Sequence, residues 1–261
     1  MPITGYSNTI SVTTLFDTDA QAFFDRVTTA GGSLSTTEKN AVNTLVVDLK
    51  SYSLWSKMKA IYPMVGASAA ACAQNLKSSS FTGTFNGGIT YASTGVKFNG
   101  TTGYMNTAFN ASTDFASASR HMAFYNRTNT AKGYDMGAAI LPADVMLASR
   151  FTGTTAAYTN FGDSAGYTTT TTAATGFFQG NNISNTERLY RNGSQIATRS
   201  NTIVNVNMSI YIGASNRSNV AVEFTEHECA FSSIGDGLDA TEASNFYTAV
   251  NAFQVSLSRN V

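Results

Sequence analysis

Residues 186–200, TERLYRNGSQIATRS, decide the fold. Glu187, Leu189 and Arg191 alternate with Arg188 and Tyr190; Asn192-Gly193 interrupts, and Gln195, Ile196, Ala197 and Thr198 follow. A period of two is the mark of a strand. Asn-Gly accepts positive φ at both central turn positions, so it closes a two-residue hairpin whose twist suits its strands. A further strand is expected at 209–213, SIYIG, after a short polar link.

The same texture extends toward the N-terminus as far as Ala67. Gly and Thr recur there, and short alternating runs dominate at 89–91, 96–98, 104–109, 120–125, 134–140, 146–151 and 177–179. Turn residues separate them, as at Asn86-Gly-Gly and Asn99-Gly. Many short strands at this spacing predict an all-β sandwich. The threonine run 168–172 suits an edge strand or an exposed loop. On the C-terminal side, 223–233 reads as a strand. Asp239-Ala-Thr-Glu242 then has capping-box spacing, ahead of a helix with Ala243, Phe246, Tyr247, Val250, Phe253 and Leu257 on one face.

Before Ala67 the pattern is helical. One helix is expected at 19–29, with Ala22, Phe23 and Val27 sharing a face and Gly31-Gly32 stopping it. Ser35-Thr-Thr-Glu38 is a capping box, and the helix behind it carries Val42, Leu45, Val46 and Leu49 at helical spacing as far as Tyr52. Residues 53–63 add a further apolar, partly helical piece ending at Pro63. Residues 1–16, with Ile3, Ile10, Val12 and Leu15 among polar residues, form an arm or a lone strand. The expected division is therefore an arm (1–16), a helical segment packed on the sandwich (17–66), and a sandwich with a C-terminal helix (67–261).

Composition narrows the function classes. The 261 residues are 43% hydrophobic, ample for a core, and only 12% charged. Lys+Arg and Asp+Glu number 16 each, for a net charge of zero, and no basic stripe occurs. General attraction to nucleic acid or to an anionic membrane is thus not expected. Cys72 and Cys229, far apart in sequence, make no disulfide framework and are expected as buried or free thiols. The start, MPITGYSNTISVTT, lacks a basic segment followed by an apolar core, so no signal peptide is expected. No apolar run reaches the ~18–20 residues of a membrane span. The expectation is synthesis in a cytoplasm and no membrane insertion. The Asn-x-Ser/Thr triplets, as at Asn99 and Asn126, follow from Asn, Ser and Thr richness rather than marking glycosylation.

The hairpin followed by Ile210-Tyr-Ile-Gly-Ala-Ser215 resembles the late hairpin of the concanavalin A-like (laminin G-like, lectin/glucanase) jelly roll. Two other stretches carry a narrower likeness. One runs from Leu45-Val-Val-Asp-Leu-Lys50 through Leu54-Trp-Ser-Lys-Met-Lys-Ala-Ile-Tyr-Pro-Met-Val-Gly66. The other is Phe231-Ser-Ser-Ile-Gly-Asp-Gly-Leu238, with 242–253 and Leu257-Ser-Arg259. With Val96-Lys-Phe-Asn-Gly100 and Gly103-Tyr104, they resemble modules in structural proteins of tailed bacteriophages, including crAss-like phages, over most of 17–259. The resemblance implies a mainly β, jelly-roll virion structural protein without enzymatic activity, a fibre, knob or capsid-decoration subunit of the head or tail. It also implies other virion proteins as partners and a homotrimer. The alternative is a carbohydrate-binding module that recognises a host-surface glycan; a polysaccharide-degrading enzyme is the third reading.

Glucanases of this fold resemble one another in a strand motif Glu-x-Asp-x-x-Glu, which sets two carboxylates about 5 Å apart on one face. The nearest match, Glu223-Phe-Thr-Glu226-His-Glu228, lacks the central Asp and reads as a solvated strand face, with Glu226 and Glu228 on one side and Glu223 on the other. No catalytic residue is assigned. His121 and His227 stand outside any metal-ligand spacing, and no G-x-S-x-G elbow orients a triad. Calcium would need loop oxygens; Asp135, Asp144, Asn160, Asp163 and Asn181 lie on expected loops, but no D-x-D-x-D run marks a Ca²⁺ site and no cofactor is assigned. Sugar binding needs aromatic faces ringed by Asn, Asp and Arg. Tyr134, Tyr158, Phe161 and Tyr167, in the loop-rich middle, are the glycan-binding candidates; the competing reading is that they and Phe177 and Phe178 simply pack as core.

Overall fold

The computed structural model describes residues 15–162, 167–171 and 173–261. The chain opens with helices α1 (Thr18–Thr29) and α2 (Thr36–Ser51), a 3₁₀ turn at Trp55–Lys57, strand β1 (Met58–Tyr62) and the one-turn α3 (Ala69–Cys72). Next come β2 (Thr84–Asn86), β3 (Ile89–Ala92), β4 (Gly95–Phe98), β5 (Tyr104–Asn110), β6 (Ser119–Asn126) and β7 (Met136–Ile140). They continue as β8 (Ala143–Ala148), β9 (Ala156–Asn160), β10 (Tyr167–Thr170), β11 (Gly176–Ile183), β12 (Thr186–Arg191) and β13 (Ser194–Ser200). The chain then runs through β14 (Ser209–Ile212), β15 (Ser215–Arg217), β16 (Val220–Val222), β17 (Glu228–Gly235) and α4 (Ala240–Ser256).

The strands form two sheets. One runs β13-β12-β11-β6-β17-β4-β3, with β1 also paired to β17; the other runs β10-β9-β8-β7-β14-β5-β2, with the β15–β16 hairpin attached to β7. Pairing is antiparallel except for β15 on β7. The hairpin that began the sequence reading is β12–β13, closed by Asn192 (φ 50°) and Gly193 (φ 76°). Both capping boxes form: Ser35 with Glu38, and Asp239 with Glu242.

Side-chain alternation sorts the molecule into layers. Met122, Phe124, Phe178, Leu189 and Ile234 of the first sheet face Met105, Met136, Ala138, Val145, Leu147 and Ile212 of the second. The other face of the first sheet offers Ala123, Tyr125, Phe177, Tyr190 and Phe231 to Phe23, Phe24, Leu45, Leu49, Phe246 and Phe253 of the helices. The order is therefore helices, first sheet, second sheet. Among the described residues no helix covers the far side of the second sheet.

Several expectations need correction. Residues 53–63 are not a helical extension: after one 3₁₀ turn they form β1, a strand of the sandwich itself, so the helical segment ends before position 58 and not at 66. Met58 and Ile61 pack toward the helices while Ala60 and Tyr62 face the second sheet. A strand buried on both faces has no alternation to betray it. The free edge of β1 is covered by Asn75, whose amide oxygen accepts from Ile61 N (2.9 Å) and whose amide nitrogen donates to Lys59 O (3.1 Å). In α1, Ala22 is exposed and Ala20 is buried in its place. The threonine run supplies an edge strand, β10. Of the expected arm, residues 1–14 lie outside the described residues; Leu15 is exposed, and Phe16 packs edge-on against Phe24 at 5.1 Å.

The C-terminal end is anchored by a buried cation. Arg259 is 1% exposed and faces neutral oxygens: Nε donates to Gln254 Oε1 (2.7 Å), one terminal nitrogen to Met64 O (2.8 Å), the other to Pro63 O (2.7 Å) and Ala230 O (2.9 Å). Its guanidinium also lies 5.0 Å from the Phe253 ring. Burial lowers its pKa to about 10, so it stays charged and its fork holds the chain end onto the sandwich.

Candidate functional site

Strand register, not sequence proximity, builds the site on the far face of the second sheet. On β8, Val145 and Leu147 point into the sandwich, which turns Asp144, Met146 and Ala148 outward. Met146 pairs with Asn160 of β9 and with Gly137 of β7, so Tyr158 stands beside these residues. Tyr134, just before β7, completes an outer apolar cluster with Ala139, Met146, Ala148 and Tyr158, flanked by Phe151. The Tyr134 ring lies 5.4 Å from Tyr158 in an edge-to-face arrangement and 4.7 Å from Phe151.

Polar groups ring these aromatics. Asp144, 6% exposed, accepts from the Tyr158 hydroxyl (3.3 Å) and from Asn160 Nδ2 (2.5 Å). Burial raises the Asp144 carboxyl to about 6, even though both donors favour its charged form. Burial and the Asp144 charge push the Tyr134 hydroxyl up to about 12 and hold Tyr158 well above the ordinary phenol range. Asn160 Oδ1 accepts from Arg199 (2.8 Å) and Asn201 (2.8 Å), and Arg199 is paired with the buried Glu187 at 3.0 Å. Arg217 of β15, opposite Ala139, lies near Tyr134 and makes no ion pair among the described residues. Tyr134 and Tyr158 are each 9% exposed, and beside them stand a carboxylate, an amide and a guanidinium, polar groups of the kind that bind sugar hydroxyls.

The sequence candidates divide. Tyr134 and Tyr158 meet on this face. Phe161 does not: it is fully buried between the sheets, 6.2 Å from Phe115, because the chain turns inward after β9. It is core, not a glycan contact. The backbone of Tyr167 pairs with Thr159, and its side chain lies outside the described residues. Phe177 packs under α4, 5.3 Å from Phe246, and Phe178 lies between the sheets. Asp144, Phe151 and Arg217, which stand beside Tyr134 and Tyr158, were not among the glycan candidates. The parity of β8 holds a signal for Asp144, but its face is known only once the register of β7, β8 and β9 is known.

Other chemistry resolves differently from its sequence reading. Glu223 is exposed on a bend with φ 51°, and only Glu228 belongs to a strand, where Arg127 Nε meets it at 3.5 Å. Residues 223–227 are therefore not a strand face with alternating carboxylates. Asp144, Asn160 and Asn181 lie on strands rather than loops, Asp135 is buried, and Asp163 lies outside the described residues. Among the described residues no cluster of His, Cys, Asp or Glu is arranged to hold a metal ion. Cys72 and Cys229 are free and buried.

A serine, a histidine and an aspartate do converge. His227 Nδ1 lies 2.6 Å from Asp135 Oδ1 and 3.4 Å from Ser149 Oγ, all three residues being fully buried. In a triad the serine and the aspartate engage opposite ring nitrogens. Here both face Nδ1, while Nε2 donates to Thr130 O (3.0 Å). Because each ring nitrogen faces an acceptor, the ring is an imidazolium paired with Asp135. Burial alone would lower the His227 pKa, but the Asp135 charge outweighs it and the net shift is upward. His121 is the converse. Nδ1 donates to Asp236 O (2.6 Å), Nε2 accepts from Ser233 Oγ (3.1 Å), and burial depresses the ring to about 4, so it is neutral.

Searches of family models and of curated proteins return no match. Solved structures do match. Domain 4 of AbnA, an extracellular GH43 arabinanase from Geobacillus stearothermophilus solved with arabinotriose, aligns over 73% of this chain and 98% of its own, at 14% identity and TM-score 0.52. The likeness is one of fold. The receptor-binding domain of botulinum neurotoxin C/D mosaic serotype aligns over 74% of this chain and 51% of its own (11%, TM-score 0.49). A Trypanosoma rangeli sialidase mutant aligns over 81% and 39% (11%, 0.48). The architecture is a mainly β jelly-roll sandwich with a C-terminal helix, as the hairpin predicts. Among the described residues no helix is long and apolar enough to cross a membrane.

Proposed function

We propose that this chain is a non-enzymatic carbohydrate-recognition module whose site is the far face of the second sheet. The observation that carries the reading is the Tyr134–Tyr158 ring pair beside an Asp144 carboxylate held by the Tyr158 hydroxyl and the Asn160 amide. Ring faces stack on the apolar faces of sugars, and fixed polar groups select hydroxyl orientation. The arabinotriose held by the AbnA domain makes arabinan a reasonable first ligand. The absence of catalysis rests on the Glu223–Glu228 region, which offers no pair of carboxylates on one strand face. Placement on a virion appendage, with a host-surface glycan as target, rests on the bacteriophage resemblance of 45–66 and 231–259.

A glycan array and a reducing-sugar assay on the purified chain test this reading. Binding without release of reducing ends is expected. Tyr158→Ala should weaken binding about tenfold, the scale of one lost stacking contact. Binding should also weaken as pH falls through about 6, where Asp144 takes up a proton, and Asp144→Asn should remove that dependence. Sugar release, or unchanged binding by Tyr158→Ala, overturns the proposal.

A further inference from the structure

The helical side of the molecule carries a cavity of its own. Its volume, about 520 Å³, falls in the range of roughly 300–1,000 Å³ that small-ligand sites occupy. Four stretches distant in sequence converge on it. Ser33 and Ser35 lead into α2, whose first turn adds Glu38; Gly66 and Ala67 lie between β1 and α3. Ser93 comes from the β3–β4 turn, and Leu257 and Ser258 from the end of α4. A smaller hollow of about 260 Å³ adjoins it between α2 and α4, sharing Thr37 and Ser256 and adding Asn40 and Thr44.

The walls are fixed by contacts within the chain. Glu38 Oε2 accepts from Ser35 N (2.8 Å) and Ser35 Oγ (2.9 Å), and Oε1 accepts from Gly66 N (2.7 Å). Gly66 has φ 79° and lies so close to the α1–α2 link that a Cβ there would meet the Ser33 carbonyl oxygen at 2.7 Å. On the opposite wall Ser258 precedes Arg259, whose fork grips Met64 O and Pro63 O. A site formed before its ligand arrives loses little affinity to ordering.

The lining selects by chemistry. It holds one acid, Glu38, and neither a basic residue nor an aromatic ring. An anion finds no counter-charge there, and a flat ring finds no stacking partner. Ser33, Thr37, Ser93 and Ser258 are exposed, and their hydroxyls hydrogen-bond to no other described residue. The Ser256 hydroxyl donates to Phe253 O (2.8 Å) and keeps its lone pairs for a donor. Each free hydroxyl both donates and accepts, so the set matches a molecule that does the same at several positions. Leu257 supplies an apolar spot for carbon-bound hydrogens. We propose that this cavity binds a neutral polyhydroxylated ligand, a mono- or disaccharide, with a second sugar unit reaching into the hollow at Asn40. The site lies in the helical layer and does not depend on the Tyr134–Tyr158 reading.

The test is ligand-observed NMR and calorimetric titration with arabinose, glucose, galactose, mannose, maltose, cellobiose and lactose, and with phosphate and spermidine as charged probes. It is run on the full chain and on Tyr158→Ala, which strips the site proposed above, so that binding remaining in the variant reports this cavity. At least one neutral sugar should bind Tyr158→Ala. Adding Ser33→Ala and Ser93→Ala should lower that affinity about three- to tenfold, the scale of one or two lost hydrogen bonds. Adding Thr37→Trp, which fills the cavity, should abolish it. Ser93→Trp is a second blocking variant; both positions are exposed, and circular dichroism melting checks that each variant folds. No sugar bound by Tyr158→Ala, sugar binding that survives both blocking variants, or binding of phosphate or spermidine in place of sugars overturns the inference. None of these outcomes decides the Tyr134–Tyr158 reading, which stands or falls on the parent against Tyr158→Ala.

Discussion

Asp144 shows what sequence order conceals. Its value lies in pointing outward beside Tyr158 and Asn160, and no local pattern records that neighbourhood. Tyr134 and Tyr158, named from the sequence as glycan candidates, meet on one face of the second sheet. Phe161 has the same appearance in sequence and differs only in the face it takes. The two histidines are legible by position but not by charge. His227 is an imidazolium in a buried ion pair, with its pKa raised, so its stabilisation is complete below the unfolded value near 6.5 and is lost as pH rises through the folded value. His121 is buried neutral with its pKa lowered to about 4, so its contribution is present above pH 6.5 and is lost as pH falls toward 4. Denaturant unfolding from pH 4 to 9 should show stability falling above pH 6.5 in the parent and flat there in His227→Gln. In His121→Gln the acid-side loss should shrink instead. Alkaline slopes that are identical in the parent and His227→Gln would refute the ion-pair assignment.

Elements with local grammar were readable. The Asn-Gly hairpin and both capping boxes are written within a few residues, and each forms as expected. Strand β1 was misread because both its faces are buried, and β15 and β16 were missed because strands of three residues are too short to show a period. Their identity comes from partners far along the chain, β17 and β7. The helical layer was recognised as packing on the sandwich, and the structure supplies its substrate: Tyr125, Phe177, Tyr190 and Phe231. Deleting residues 1–53 should therefore bare an aromatic sheet face, which soluble monomers rarely tolerate. Size-exclusion chromatography with light scattering should find insoluble or self-associating protein. A monodisperse monomer would mean that the sandwich stands without its helices.

At the scale of the molecule, strand count and turn spacing carried the fold class, while the pairing of strands distant in sequence carried the site. Net neutrality was readable from the totals and has a measurable consequence. With no overall field to screen, glycan affinity should change less than about twofold between 50 mM and 500 mM salt. A steep salt dependence would indicate a charged ligand that the present face does not anticipate. Assembly is a separate question. The low charge leaves little repulsion between copies, and the bacteriophage resemblance implies a trimer. Light scattering at micromolar concentrations should then give three times the 27.6 kDa chain mass; a monomer would count against the trimer.

The layering also gives the molecule a front and a back. Phe16 enters α1 on the helical side, where it packs on Phe24, and Val261 N donates to the Tyr125 hydroxyl, on the side of the first sheet that the helices cover. The outer cluster of Tyr134 and Tyr158 lies on the opposite side, beyond the second sheet. A body that held the helical layer would carry the chain with its back to the support and the Tyr134–Tyr158 face turned away. Many copies so mounted would turn a weak single contact into avidity without any change in the site.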